Sequence, residues 1–195
     1  FYMFETVCRD IRRWLDKGRD VPRVSVNFSR KHLIDPDLLG HILEIINRYE
    51  LRRKYLEVEL TETTTDVEFN NLNRIVTGLH REGIFTSVDD FGNGYSSLNL
   101  IRSIPWDVVT IDRSLLPTDG MKEDDITSRL YKHVVSMAND IGLECVTEGV
   151  ETLNQVHLLQ DNECPIAQGF YFSKPLPSEE FEKLLRGEPF ADKLS

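Results

Sequence analysis

The sequence predicts an α/β fold built on a parallel sheet, and three observations carry this prediction. Short runs rich in β-branched apolar residues recur along the 195-residue chain, as buried strands do. Segments of helical periodicity separate these runs, and strands that alternate with helices form parallel βαβ units. Several of the runs end in a carboxylate or an amide. Six such strands suit an open sheet, but a TIM-like (β/α)8 barrel is the commoner home for acids at strand ends, and this chain would then cover about six of its eight strand–helix units.

Three helices alternate with three strands in the first half of the chain. The first helix is expected to end near Gly18 and to bury one apolar face, made of Met3, Val7, Ile11, Trp14 and Leu15. Strand 24–27 comes next, and a second amphipathic helix begins after Pro36. Strand 55–60 then leads to a third helix, which strand 84–89 follows.

The second half continues the alternation after a glycine-bearing loop, 91–97. A short helix stops before Pro105, and strand 108–112 follows it. A polar loop then separates this strand from a long helix with apolar positions at Ile126, Leu130, Val134, Met137 and Ile141. The domain closes with strand 144–148, helix 152–160, strand 167–172 and a helix around Phe181.

Composition limits the classes of function. A hydrophobic content of 40% in 195 residues supports one globular domain over 1–195. The net charge of −10 argues against binding of a nucleic-acid polymer, which needs a basic surface. Three cysteines without metal-type spacing are expected to be reduced thiols of a cytoplasmic protein. The first residue is Phe1 rather than Met, which suggests a piece of a longer protein.

Polar residues at the strand ends predict a metal site. The carboxyl ends of parallel strands open onto one face, where these residues would meet: Asn27, Glu59, Asp89, Asp90 and Glu148. Clustered carboxylates repel one another unless protons or cations neutralise them, and oxygen ligands suit Mg²⁺, Mn²⁺ or Ca²⁺. Two simpler readings remain: Glu59 as a solvated strand end, and Asp89-Asp90 as a turn cap. Neighbours on a strand point to opposite faces, so a joint role for Asp89 and Asp90 requires the strand to bend.

Six motifs occur in a fixed order along the chain: Val26-Asn27-Phe28-Ser29, Glu59-Leu60-Thr61-Glu62, the segment 89–98 (Asp-Asp-Phe-Gly-Asn-Gly-Tyr-Ser-Ser-Leu), Ile111-Asp112-Arg113-Ser114, Glu148-Gly149-Val150-Glu151 and the segment 168–175 (Gln-Gly-Phe-Tyr-Phe-Ser-Lys-Pro). Together they resemble the EAL domain family of bacterial cyclic di-GMP phosphodiesterases. The resemblance implies a (β/α)8 barrel whose first two strands lie upstream of residue 1. The second of those strands carries the Glu-Ala-Leu segment that names the family.

The resemblance also implies two metal ions, Mg²⁺ or Mn²⁺, with Ca²⁺ as an inhibitory or structural substitute. Asn27, Glu59 and Asp89 match ligands of the first ion. Asp89, Asp90 and Glu148 match ligands of the second ion, so Asp89 bridges the two. Such a pair would flank the scissile phosphate of the nucleotide.

Further roles follow from the same resemblance. Glu62 matches the residue that anchors loop 91–97. Asp112, Glu151 and Gln168 match residues that face the nucleotide or the attacking water. Active members of the family have a lysine where this sequence has Thr110. A threonine hydroxyl can bind water but brings no positive charge to it.

Two functional hypotheses therefore stay open. One is a metal-dependent phosphodiesterase that cuts cyclic di-GMP to the linear dinucleotide pGpG, with activity weakened or lost through Thr110. The alternative is an inactive receptor for the nucleotide, or a protein-binding module of bacterial signalling. The resemblance also implies a homodimer through the loop and helix at 94–103. It implies upstream sensory or GGDEF-type domains. It also implies a cytoplasmic location, either of the whole protein or of the cytoplasmic part of a membrane-anchored one.

Overall fold

Six parallel strands curl into a half-barrel, and their order in the sheet follows their order in the chain. The computed structural model describes residues 1–61, 66–91, 97–120 and 125–186. The strands are β1 (Val24–Phe28), β2 (Leu56–Thr61), β3 (Phe85–Phe91), β4 (Val108–Ile111), β5 (Glu144–Thr147) and β6 (Ile166–Ala167). The α/β barrel architecture predicted from the sequence is therefore confirmed.

Helices cover the outer face of this sheet. They are α1 (Tyr2–Asp16), α2 (Leu38–Arg48), α3 (Asp66–Arg81), α4 (Ser97–Ser103), α5 (Ile126–Asp140), α6 (Leu153–Asp161) and α7 (Ser178–Leu184). Two short 3₁₀ segments, Arg30–Ile34 and Arg53–Tyr55, complete the described elements. Within the described residues, no helix is both long enough and apolar enough to span a bilayer.

Strand β2 is buried on both of its faces. Alternate residues of a strand point to opposite sides, so Leu56, Val58 and Leu60 share one face and are fully buried. Their face belongs to the same hydrophobic core as the apolar stripes of α2 and α3. Glu57 and Glu59 occupy the opposite, inward face and are also buried. The inner face of the half-barrel is thus unusually acidic for a core position.

Two helices bury faces that are rotated from the ones that the sequence suggested, although Ile11 and Trp14 of α1 are buried as predicted and Val134 and Met137 of α5 are partly buried. Phe4, Cys8, Ile11 and Trp14 form the buried face of α1, and Met3 is exposed. In α5 the buried residues are Tyr131, Val135 and Ala138, whereas Ile126, Leu130 and Ile141 are exposed. The rotation of α5 lets the Tyr131 hydroxyl reach Thr147 Oγ1 at 2.9 Å. Apolar periodicity alone did not choose between adjacent faces.

The sixth strand is shorter than predicted. The sequence suggested a strand over 167–172, but the ladder ends at Ala167. Beyond it the chain wraps around Val150, whose N–H donates to Gln168 and whose carbonyl accepts from Tyr171. Gly169 permits this approach, since a Cβ there would lie 2.1 Å from the Val150 carbonyl oxygen. The strand prediction failed because contacts with the β5–α6 connection replace the ladder.

Candidate metal centre

Three carboxylates from three strands converge at the carboxyl end of the sheet. Glu59 lies on β2, Asp89 lies on β3, and Glu148 follows β5 directly. Each offers one oxygen atom, and these atoms all lie within 4.8 Å of one another. Residues separated by up to 89 positions in the sequence thus meet, as the strand-end pattern predicted. We call Glu59, Asp89 and Glu148 the carboxylate cluster.

Glu59 is the most buried member and is held from two sides. Its Oε2 atom accepts a hydrogen bond of 2.7 Å from the Ser25 hydroxyl of β1. The Thr110 hydroxyl of β4 also donates to this carboxylate, and both bonds favour its charged form. Burial nevertheless prevails and raises the pKa of Glu59 above its ordinary value. Glu59 is therefore oriented before any cation arrives.

The third strand bends where the cluster needs it. Asp90 has a positive φ of 56°, and the pairing of β3 with β4 shifts register between Val88 and Phe91. The Asp90 N–H donates to Oδ1 of Asp89 at 2.7 Å. This local irregularity, a β-bulge in kind, is the bend that a joint role for Asp89 and Asp90 requires. Asp90 itself is exposed and stands beside the cluster rather than within it.

Electrostatics within the cluster favours a bound cation. Burial, then the charges of Glu59 and Asp90, raise the pKa of Asp89 to about 6. Burial, then the charges of Asp89 and Glu59, raise the pKa of Glu148 to about 7. At neutral pH the site therefore holds mutually repelling carboxylates that a proton or a cation would relieve. A set of hard oxygen donors fits Mg²⁺, Mn²⁺ or Ca²⁺.

Asn27 lies next to this cluster on the first strand. Its Cα pairs in register with that of Glu59, and the residue is exposed. Its side-chain amide oxygen is a further hard oxygen donor on the strand next to Glu59.

A cavity of about 640 Å³ adjoins the cluster through Glu148. Its lining includes three residues that the sequence analysis assigned to the nucleotide or to water: Asp112, Glu151 and Gln168. Burial opposes ionisation of Asp112, but hydrogen bonds from Ser114 outweigh it and lower the pKa of Asp112. This carboxylate stays charged at the rim of the cavity.

The loop that carries Glu148 and Glu151 is fixed by the start of α6. Thr152 and Gln155 form a capping box, in which Thr152 Oγ1 accepts from the Gln155 N–H at 3.2 Å. The Gln155 side chain returns to accept from the Glu151 N–H at 2.8 Å. At the other end of the segment, the Glu148 N–H donates to the Ile111 carbonyl at 3.0 Å, so the backbone between β5 and α6 is held on both sides.

Sequence reasoning did not single out several residues at this site. Arg113 and Lys174 line the same cavity and bring positive charge to it, and Phe170 adds an aromatic surface. Ser25 was also missed, although it precedes Asn27 by two positions and therefore shares its face of β1. Glu62 and residues 92–96 of the glycine-bearing loop lie outside the described residues, so the anchoring of that loop stays a prediction.

Comparison with known proteins places these observations in context. The family model described as "EAL domain" matches residues 1–175. The cyclic di-GMP phosphodiesterase NbdA of Pseudomonas aeruginosa is 32% identical over 189 residues, which are 97% of this chain and 24% of NbdA. The chain thus spans about a quarter of the length of that relative.

Solved structures agree with the fold. The crystal structure of the EAL domain of Mycobacterium smegmatis DcpA matches with a TM-score of 0.85 and 32% identity, over 94% of this chain and 82% of that one. A complex of the PaMucR phosphodiesterase with cyclic di-GMP matches with a TM-score of 0.82 and 28% identity, over 92% and 77% of the two chains.

Proposed function

The chain belongs to the EAL domain family, and from this premise we propose that it binds cyclic di-GMP at the carboxylate cluster and hydrolyses it slowly to the linear dinucleotide. The similarity to NbdA and to the nucleotide complex of PaMucR supports this choice of ligand. One observation carries the proposal: three carboxylates with raised pKa values offer oxygen atoms within 4.8 Å of one another, and one of them, Glu148, lines a cavity large enough for a small molecule.

We assign the metal ligands from the family pattern together with the geometry. Asn27, Glu59 and Asp89 would hold one Mg²⁺ or Mn²⁺ ion, and Asp89, Asp90 and Glu148 a second. Bound there, the ions supply positive charge at the scissile phosphate and lower the pKa of water. Ca²⁺ would occupy the same oxygens without supporting turnover.

The chain's own groups would orient the ligand around this site. Ser25 holds the Glu59 carboxylate in one orientation. Arg113 and Lys174 line the cavity, where their positively charged side chains would pair with the phosphates of the nucleotide. We assign Asp112 and Gln168 to polar contacts with the nucleotide, Glu151 to the water side of the site, and Glu62 to loop 91–97.

Thr110 is the reason to expect slow turnover. It is 3% exposed and faces Glu59, so its side chain lies at the inner face of the site. A hydroxyl there provides no charge to a nucleophilic water or to the transition state. Loss of one such electrostatic contact lowers rates by roughly 10²–10³-fold.

The same observation supports an alternative function. A site that keeps its carboxylates but lacks the lysine of active family members would bind cyclic di-GMP as a receptor. In that case the nucleotide would act as a signal to a partner protein. The two functions differ in turnover and share the binding step.

Further proposals concern the setting of the domain. Strands β1 and β6 each pair with one neighbour in the described residues, and two further strands between them would complete a barrel. We also propose a homodimer through 94–103, sensory or GGDEF-type domains upstream, and a cytoplasmic location. The three buried thiols are consistent with a reducing compartment.

The test is a direct assay of the full protein. Cyclic di-GMP is incubated with Mn²⁺ or Mg²⁺, and the linear dinucleotide is separated and quantified over time. Calorimetric titration of the nucleotide in Ca²⁺ measures binding without turnover. Slow metal-dependent product formation supports the proposal, and binding without product supports the receptor. Absence of both contradicts the two functions.

A further inference from the structure

A half-buried arginine lies on the inner face of the half-barrel, toward the amino ends of the strands. Arg23 directly precedes β1, and its Nε atom donates to Glu57 Oε2 on β2 at 2.7 Å. Its Nη2 atom makes a second ion pair with Glu144, the first residue of β5. Three strands separate β1 from β5 in the sheet order, so this second contact crosses the interior.

The guanidinium also touches a third strand. Its Cζ atom lies 4.2 Å from the centroid of the Phe85 ring, over the first residue of β3. Cation–π contact and the planar fork of arginine allow one side chain to bind an aromatic face and two carboxylates together. Arg23 therefore joins β2, β3 and β5 at one point.

These are the same strands that carry the carboxylate cluster. Glu57 precedes Glu59 by two residues, and Phe85 and Glu144 each precede their cluster residue, Asp89 and Glu148, by four. An even offset along a strand keeps side chains on one face. Each contact of Arg23 thus lies on the same inner face as one member of the cluster, nearer the amino end of the strand that leads to it.

Two features suggest more than a general contribution to stability. The side chains of Glu57, Arg23 and Glu144 are 8%, 22% and 35% exposed, so the ion pair with Glu57 is largely shielded from water and salt and the one with Glu144 is partly shielded. Without the Arg23 guanidinium, the carboxylates of Glu57 and Glu144 would face one another across the interior, and their repulsion would push β2 away from β5. Metal sites tolerate ligand displacements of only about 0.5 Å, so a small spread of these strands matters at the other end.

We propose that Arg23 is a positioning residue for the metal centre. By holding β2, β3 and β5 together it sets the curvature of the sheet that brings Glu59, Asp89 and Glu148 within reach of a shared cation. This inference rests on the proposed metal binding, because it assigns the arrangement of that same site to a residue that would not touch the ion.

The experiment measures Mn²⁺ affinity of the full protein by calorimetric titration, without nucleotide and at a temperature where circular dichroism shows each variant folded. Arg23→Met removes the link. Arg48→Met is the matched control, because Arg48 also joins two carboxylates, Glu5 and Glu44, but on the exposed outer surface. We expect Arg23→Met to weaken Mn²⁺ binding at least tenfold and Arg48→Met to change it less than twofold.

A second variant covers the case in which Arg23→Met does not fold. Arg23→Met with Glu57→Gln and Glu144→Gln leaves no buried unpaired charge, so it is expected to fold. It lacks the ionic link, so its Mn²⁺ affinity should stay at least threefold below that of the wild type. A folded Arg23 variant with wild-type Mn²⁺ affinity overturns the inference and leaves the proposed function intact. A wild type that binds no Mn²⁺ overturns both.

Discussion

Neutralising one carboxylate of the cluster should stabilise the metal-free protein while abolishing its response to metal. Glu148→Gln is the best perturbation, because Gln keeps the size of the side chain and Glu148 faces both other members. At 4.8 Å two unit charges repel by about 3.5 kcal/mol at an effective dielectric constant of 20, and by about 0.9 kcal/mol in water. Glu148 is half-buried, so solvent screening brings its repulsion toward the lower figure.

With two partners, Glu59 and Asp89, the expected gain is about 1–3 kcal/mol in the free energy of unfolding near pH 8. That pH is chosen because the pKa of Glu148 is about 7, so the carboxylate is mostly charged there. For a domain of this size the gain corresponds to a rise of about 2–12 °C in Tm. Differential scanning calorimetry in the presence of a chelator measures it directly.

Addition of Mn²⁺ should reverse the order of stability. With Mn²⁺ at 1,000-fold excess over its dissociation constant, the wild-type protein gains about 4.1 kcal/mol, which exceeds the advantage of Glu148→Gln, and that variant should gain little. Glu179→Gln is the control, since Glu179 is an exposed carboxylate of α7 away from the cluster. It should show neither effect. A metal-free Glu148→Gln protein less stable than wild type, or one with a full Mn²⁺ response, would refute the electrostatic account.

Three other predictions follow from the same site. The folded pKa values of Asp89 and Glu148 are raised to about 6 and 7, so the folded metal-free protein binds more protons than the unfolded chain. Urea titrations should therefore show the free energy of unfolding falling as pH rises from about 4 to about 7. A free energy of unfolding that rises throughout this window would be inconsistent with the raised pKa values. Thr110→Lys should increase the rate of linear dinucleotide formation by at least tenfold in the full protein. Thr110→Ser is the control, because it keeps a hydroxyl. Equal rates for the two variants would remove Thr110 as the proposed cause of slow turnover. Gly169→Ala should force the 168–171 segment away from Val150, because the added Cβ would collide with the Val150 backbone. The variant should have a lower Tm and bind cyclic di-GMP more weakly in Ca²⁺. An unchanged nucleotide affinity would show that this segment does not contribute to ligand binding.

The arrangement of strands and the convergence of acids could be predicted from the sequence because both depend on local patterns. Parallel strands share a carboxyl edge, so residues at strand ends meet regardless of their separation along the chain. A bend at Asp90 was predicted only as the condition for a joint role of Asp89 and Asp90, since adjacent strand residues otherwise face opposite sides. The structure has this bend, with a positive φ at Asp90.

Other features depend on contacts that local patterns do not encode. The end of β6 at Ala167 reflects hydrogen bonds to Val150, which lies in another connection. The interior link of Arg23 requires knowledge of how strongly the sheet curls, since Glu144 lies 121 residues away. An arginine before a strand and an acid at the start of another are ordinary surface residues by composition. Only the curl of the sheet makes them partners.

The central claim is that the carboxylate cluster is a metal site, and diffraction from crystals grown with Mn²⁺ tests it most directly. The account predicts an anomalous scattering peak within bonding distance of oxygen atoms from Glu59, Asp89 and Glu148. Well-ordered crystals in which Mn²⁺ binds elsewhere, or in which these three side chains point apart around an ion-free space, would contradict it.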